Sequence, residues 1–196
     1  MNPARLAVYG GTFDPPHVGH LAAAAHLRWA LRVDEVRLVV ANDPWQKRER
    51  LVTPAAQRFE LVRAAVEGHE GLAASDVEIR RGGASFTIDT VEALRVEQPE
   101  AEILVVVGAD AASGLDGWHR ADELAAAATI VVTNRGSART PELSPRWGVE
   151  RCAVPDLDVS STELRRRVAA GEPIDFLVPD AVRSRITDWG LYRGGR

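Results

Sequence analysis

The sequence is short of several things, and each shortage closes off a class of function. Its single cysteine, Cys152, can form no internal disulfide and cannot build a cysteine-rich metal site. No apolar run approaches the roughly 20 residues of a membrane-spanning helix. The N-terminus passes directly into Arg5-Leu6-Ala7-Val8-Tyr9, a strand pattern, without the apolar stretch of a secretory leader. The net charge is −4, and the basic residues are dispersed. The concentrated positive field that supplies most of general DNA affinity is therefore missing. Neither a G-x-x-x-x-G-K-[ST] loop nor a G-x-G-x-x-G fingerprint is present. There is no internal repeat and no low-complexity segment. The expectation is a cytoplasmic protein in a reducing compartment, with no nucleic-acid or membrane partner; a homo-oligomer stays open.

What is present is ordinary globular material: 196 residues, 45% hydrophobic and 27% charged. That length can bury a core without staples and suits one domain over residues 1–196, with a helical C-terminal part from about residue 156. Short β-branched runs alternate with longer amphipathic ones. Strands are expected at Leu6–Tyr9, Val36–Ala41, Asp76–Arg80, Ile103–Val107, Thr129–Thr133 and Val149–Val154. Helices are expected at His17–Leu31, Pro54–Glu67, Ile88–Glu97, Arg120–Ala127, Ser161–Ala169 and Asp180–Trp189. Several strands are continuously apolar, as parallel strands covered on both faces are. The class is therefore α/β: a Rossmann-like, doubly wound parallel sheet with helices on both faces and a short C-terminal helical extension. Thr53 before Pro54 reads as an N-cap followed by a proline at the first helical position. Ser160 with Glu163 reads as a capping box. Asn42–Val52 and Asn134–Trp147 read as irregular, the first as a loop that closes on a ligand.

The densest signal is Gly10-Gly11-Thr12-Phe13-Asp14-Pro15-Pro16-His17-Val18-Gly19-His20, directly after the first strand and opening the first helix. Ligands of open α/β sheets bind beyond the carboxyl ends of the strands. Gly10 and Gly11 let the backbone approach a phosphate, and the helix that follows offers its positive end. His17 and His20, three apart, can face one ligand, with Gly19 leaving room between them. Two histidines also suggest zinc, but zinc needs three or four ligands and no third is in sight, so no protein metal site is expected. Asp14 reads as a brace for its own turn. A second hydroxyl-rich helix start, Ser160-Ser161-Thr162, carries Arg165 one turn in, a planar fork for phosphate. Arg166 and Arg167 read as surface charges. Three further segments could frame an acceptor: Asn42–Lys47 with its cation Lys47, Ser85-Phe86-Thr87 entering a helix, and Gly108-Ala109-Asp110 followed by Trp118. Taken singly, each is as well explained by a solvated loop, a capped helix, a strand-end turn or a core tryptophan.

Together these segments resemble the nucleotidyltransferase superfamily that carries the [HT]-x-G-H motif, and within it the nicotinate-nucleotide adenylyltransferase family. The likeness runs from Leu6 to Tyr192 and includes Phe176-Leu177-Val178-Pro179. It implies transfer of the adenylyl group of ATP to nicotinic acid mononucleotide with release of pyrophosphate, in NAD biosynthesis. It implies that His17, His20, Lys47 and Arg165 serve catalysis. ATP would be bound by Gly10, Gly11, Thr12, Phe13, His17, His20, Gly108, Asp110, Ser160, Ser161, Thr162 and Arg165. The nicotinate nucleotide would be bound by Lys47, Ser85, Phe86, Thr87 and Trp118. Mg²⁺ would arrive with ATP, held by phosphates and water rather than by a protein cage. Two departures stand out: Phe86 occupies a position where the family often has tyrosine, and Asn42-Asp43-Pro44-Trp45 replaces the more usual Pro-Pro-His/Tyr-Lys. A phosphopantetheine adenylyltransferase, a cytidylyltransferase, or a nucleotide-binding regulator that has lost turnover are the other readings open at this point.

Overall fold

The structure of the protein, a computed structural model, describes residues 4–43, 53–134 and 142–194. Six strands form one sheet: β1 (Arg5–Gly11), β2 (Glu35–Val40), β3 (Leu72–Ser75), β4 (Glu102–Gly108), β5 (Thr129–Asn134) and β6 (Val149–Ala153). Every pairing is parallel and the order is β3-β2-β1-β4-β5-β6. Strands are thus added in one direction from β1 to β3 and in the other from β4 to β6. The seam between β1 and β4 is where the winding reverses, and there the connections leave a crevice above the strand ends.

The continuous apolar runs are explained by burial on both faces. Leu6 and Val8 of β1, Ile103, Val105 and Val107 of β4, and Ile130 and Val132 of β5 point to one side. That side is covered by α4 (Thr87–Glu97) and α6 (Ala121–Ala127). The alternate residues Ala7, Leu104, Val106 and Val131 face α1 (Val18–Leu31) and α2 (Ala55–Val66) on the other. Cys152, buried on this second side, behaves as a small hydrophobe. A third cluster joins α2 and the start of α1 to α7 (Ser161–Ala170) and α8 (Asp180–Asp188), through Leu61, Leu164, Val182 and Ile186. No helix among the described residues is long and apolar enough to cross a membrane.

Three local expectations are corrected. The third strand is Leu72–Ser75, whereas the segment expected as strand Asp76–Arg80 forms the short helix α3 (Val77–Arg81). A five-residue run cannot separate the two periods. The helix is favoured by the Arg80 N–H bond to the Asp76 carbonyl at 2.8 Å and by the Arg80–Asp76 ion pair one turn apart. Thr53 does not cap α2: its N–H donates to Asp14 Oδ2 at 3.2 Å, and Pro54 occupies the cap position. The capping box at Ser160 is only half made. Ser160 Oγ accepts from the Glu163 N–H, but the Glu163 carboxylate turns to Arg166 and Arg167, which hold its pKa down at about 2.

Candidate active site

A cleft of about 320 Å³ opens at the β1/β4 seam. Gly10, Gly11 and Thr12 at the end of β1 form one wall, and Gly108 at the end of β4 forms another. Ser85, Phe86 and Thr87, leading into α4, close a third side with Trp118. These eight residues expected from the sequence are thus gathered at one place. No Cβ neighbour lies within 4 Å of Gly10 or Gly108, so both keep the cleft walls at backbone height. Gly11 serves the protein instead, since a Cβ there would meet the Phe13 ring at 2.8 Å.

The cleft also holds residues that sequence reasoning passed over. His119 stacks on Phe86, ring centroids 4.2 Å apart at 27°, making with half-buried Trp118 an aromatic slot. The signal was present, as His119 adjoins the tryptophan that was singled out. Glu78 and Thr90 line the cleft as well. Glu78 was lost because α3 had been read as a strand.

The two segments expected to bind phosphate meet beside this cleft. His17 caps α1, and its backbone N–H donates to His20 Nδ1 at 3.2 Å. With Nδ1 accepting, a neutral His20 ring carries its proton on Nε2 and presents a donor there. The two imidazoles stack at 3.7 Å, and Phe13 meets His20 edge-on at 5.0 Å. α7 docks onto the same loop. Ser161 Oγ donates to the Pro15 carbonyl at 2.9 Å, and Arg165 Nη1 donates to the Asp14 carbonyl at 2.7 Å. The two segments, remote in sequence, are therefore one assembly.

Asp14 is its brace, 4% exposed: Tyr192 donates to Oδ1 at 2.6 Å while Thr53 N–H holds Oδ2. Burial and the neighbouring carboxylate raise the Tyr192 phenol well above its ordinary pKa. Arg58, 1% exposed, ties the loops together from below. Its guanidinium donates to the carbonyls of Thr53 (2.7 Å), Thr12 (2.8 Å) and Asn42 (3.3 Å).

Several expected contacts do not form as read. The Phe13 side chain, 2% exposed, belongs to the core. His17 is equally buried, leaving half-buried His20 as the accessible imidazole. Gly19 makes room for the protein rather than a nucleotide, because a Cβ would meet Val159 at 3.0 Å and the His17 ring at 3.1 Å. The first N–H of α1, on Val18, is taken by the Leu177 carbonyl at 3.0 Å. Asp110 lies in the one-turn helix α5 (Ala109–Ala112), exposed and outside the cleft lining. Ser160 spends its oxygen on its own helix, and Thr162 Oγ1 accepts from Arg165. Lys47 lies outside the described residues, as does most of the Asn42–Val52 loop. No group of three or more His, Cys, Asp or Glu among the described residues could hold a metal ion.

The family model described as cytidylyltransferase-like matches residues 8–167. A protein of Saccharopolyspora erythraea named as a probable nicotinate-nucleotide adenylyltransferase is 40% identical over 97% of this chain and 90% of its own. A Streptomyces coelicolor protein of the same name is 40% identical over 94% and 99%. Among solved structures, the nicotinic acid mononucleotide adenylyltransferase of Plasmodium falciparum complexed with NaAD superposes with a TM-score of 0.73 at 17% identity, over 96% of this chain and 97% of that one. At that identity the superposition speaks for the fold. With the family model covering most of the chain and relatives of one name matching it nearly end to end, the chain belongs to the nicotinate-nucleotide adenylyltransferase family of cytidylyltransferase-like proteins.

Proposed function

We infer that the protein transfers the adenylyl group of ATP to nicotinic acid mononucleotide, giving nicotinic acid adenine dinucleotide and pyrophosphate in the cytoplasm. The observation that carries this is a cleft bordered by Phe86, His119 and Trp118 at the end of β1, from which the Gly10–His20 segment runs on to its docking with Arg165. A phosphate oxygen of the mononucleotide, ionised at neutral pH, attacks the α-phosphorus of ATP. The new O–P bond forms as the bond to the β-phosphate oxygen breaks, and pyrophosphate carries away the electron pair. No protein nucleophile is needed, so the work is positioning and charge stabilisation. His20 Nε2–H is the donor for charge on the α-phosphate, with His17 fixing its tautomer through the backbone. Arg165 faces the β- and γ-phosphates, and Lys47 adds a cation from its loop. Mg²⁺ arriving with ATP would be held by phosphates and water, while Asp14 is engaged by Tyr192 and Thr53. That ion would withdraw charge from the triphosphate.

The pyridine carboxylate is read at the start of α4. The Ser85 and Phe86 N–H groups are spent on the Asp43 and Ala84 carbonyls, so the donors left by helix geometry begin at Thr87. An amide placed there sets donor against donor. The acid mononucleotide is expected to exceed the amide by at least about tenfold in kcat/KM. Pyrophosphate release with ATP and each mononucleotide checks this, and equal efficiencies would overturn the acid assignment.

A further inference from the structure

We propose that Glu78 is the counter-ion of the substrate's pyridine ring, making the site selective for a cationic ring over an uncharged one. The inference rests on the pyridine-nucleotide adenylyl transfer proposed above. A pyridine nitrogen bonded to ribose is quaternary: it bears a permanent positive charge and no proton. It can be recognised by an opposite charge but not by a hydrogen-bond acceptor as such.

Glu78 supplies that charge at the right kind of place. It lines the cleft, is 7% exposed, and its Oε1 accepts from Thr90 Oγ1 at 2.7 Å. Its Oε2 is buried and has no hydrogen-bond partner. A buried carboxylate oxygen without a partner is costly unless something compensates it. Neither neighbouring cation bonds Glu78 directly. Arg81 donates to Thr90 Oγ1 at 3.3 Å and to the Ala84 carbonyl at 3.1 Å. Arg58, close enough to feel the charge of Glu78, is committed to its three carbonyls. Glu78 forms no ion pair among the described residues. The aromatic faces of Phe86, His119 and Trp118 border the same space, and they too favour a cationic ring.

The test compares nicotinic acid mononucleotide with its 1,4-dihydro form, which has nearly the same outline but an uncharged ring nitrogen. The native enzyme should favour the cationic ring by at least about tenfold in kcat/KM. Glu78→Gln keeps an acceptor for Thr90 while removing the charge. It should raise KM for the cationic ring about tenfold, leave the dihydro substrate within about twofold, and leave KM for ATP alone. Thr90→Val, which loosens the Glu78 carboxylate without removing it, should shrink the preference for the cationic ring part of the way. Equal losses on both rings in Glu78→Gln would make Glu78 a structural prop and overturn the proposal. A native ratio near one would overturn it even if Glu78→Gln failed to fold. Failure of the native enzyme to adenylylate the cationic mononucleotide at all would instead sink the functional reading beneath it.

Discussion

An imidazole helps a phosphate only if the nitrogen facing it carries a proton. In His20 that condition is set by a backbone contact, the His17 N–H to Nδ1, rather than by a second side chain. His20→Ala removes both the donor and the ring that stacks on His17 at 3.7 Å. The expected result is a loss of about 10²-fold or more in kcat, the scale for one donor to transition-state charge, with a smaller change in KM for ATP. Steady-state kinetics on the purified variant check this; near-native kcat would return His20 to a packing role. The residue scale is also where sequence reading was least complete. Phe13, His17, Gly19 and Asp110 sit in or beside the motif segments, yet whether a side chain faces ligand or core depends on packing partners such as Val159, which are far away in sequence.

Elements were more legible, because period and punctuation are local. The doubly wound sheet follows from apolar runs separated by helical stretches, and the two phosphate motifs follow from strand-to-helix turns. The exception is instructive: Asp76–Arg80 alternates like a strand but lies between a true strand and a tight turn at Gly82, with a positive φ of 72°. Arg58 could not be recognised at all, since nothing in a helical arginine reveals that it will be buried. Yet this one side chain fixes the entry of α2 to the end of β1 and to both ends of the loop that carries Lys47. Arg58→Met is expected to leave carbonyls buried without donors and to lower stability by about 3 kcal/mol. Urea unfolding measures it, and a loss below about 1 kcal/mol would mean that water replaces the guanidinium readily.

For the whole molecule, the C-terminal segment is as much part of the site as the N-terminal motif. Tyr192 is the protonated partner of Asp14, and its pKa is raised on folding. The folded state therefore holds this proton more tightly than the unfolded chain does. The stability it contributes is fully present below the unfolded tyrosine value of about 10 and is lost as pH rises through the higher folded value. Melting temperature should thus fall above pH about 10 more steeply in the native protein than in Tyr192→Phe. Parallel alkaline profiles would refute the linkage. The same bond has a consequence for biosynthesis. Asp14 and Tyr192 are 178 residues apart, so at about 5–20 residues per second the signature loop waits roughly 10–40 seconds on the ribosome for its last partner. The Val18, Pro15 and Asp14 contacts to residues 161–177 impose a somewhat shorter delay. A nascent chain that has not yet reached Tyr192 lacks the partner that braces Asp14, so the site is completed only once that residue has emerged.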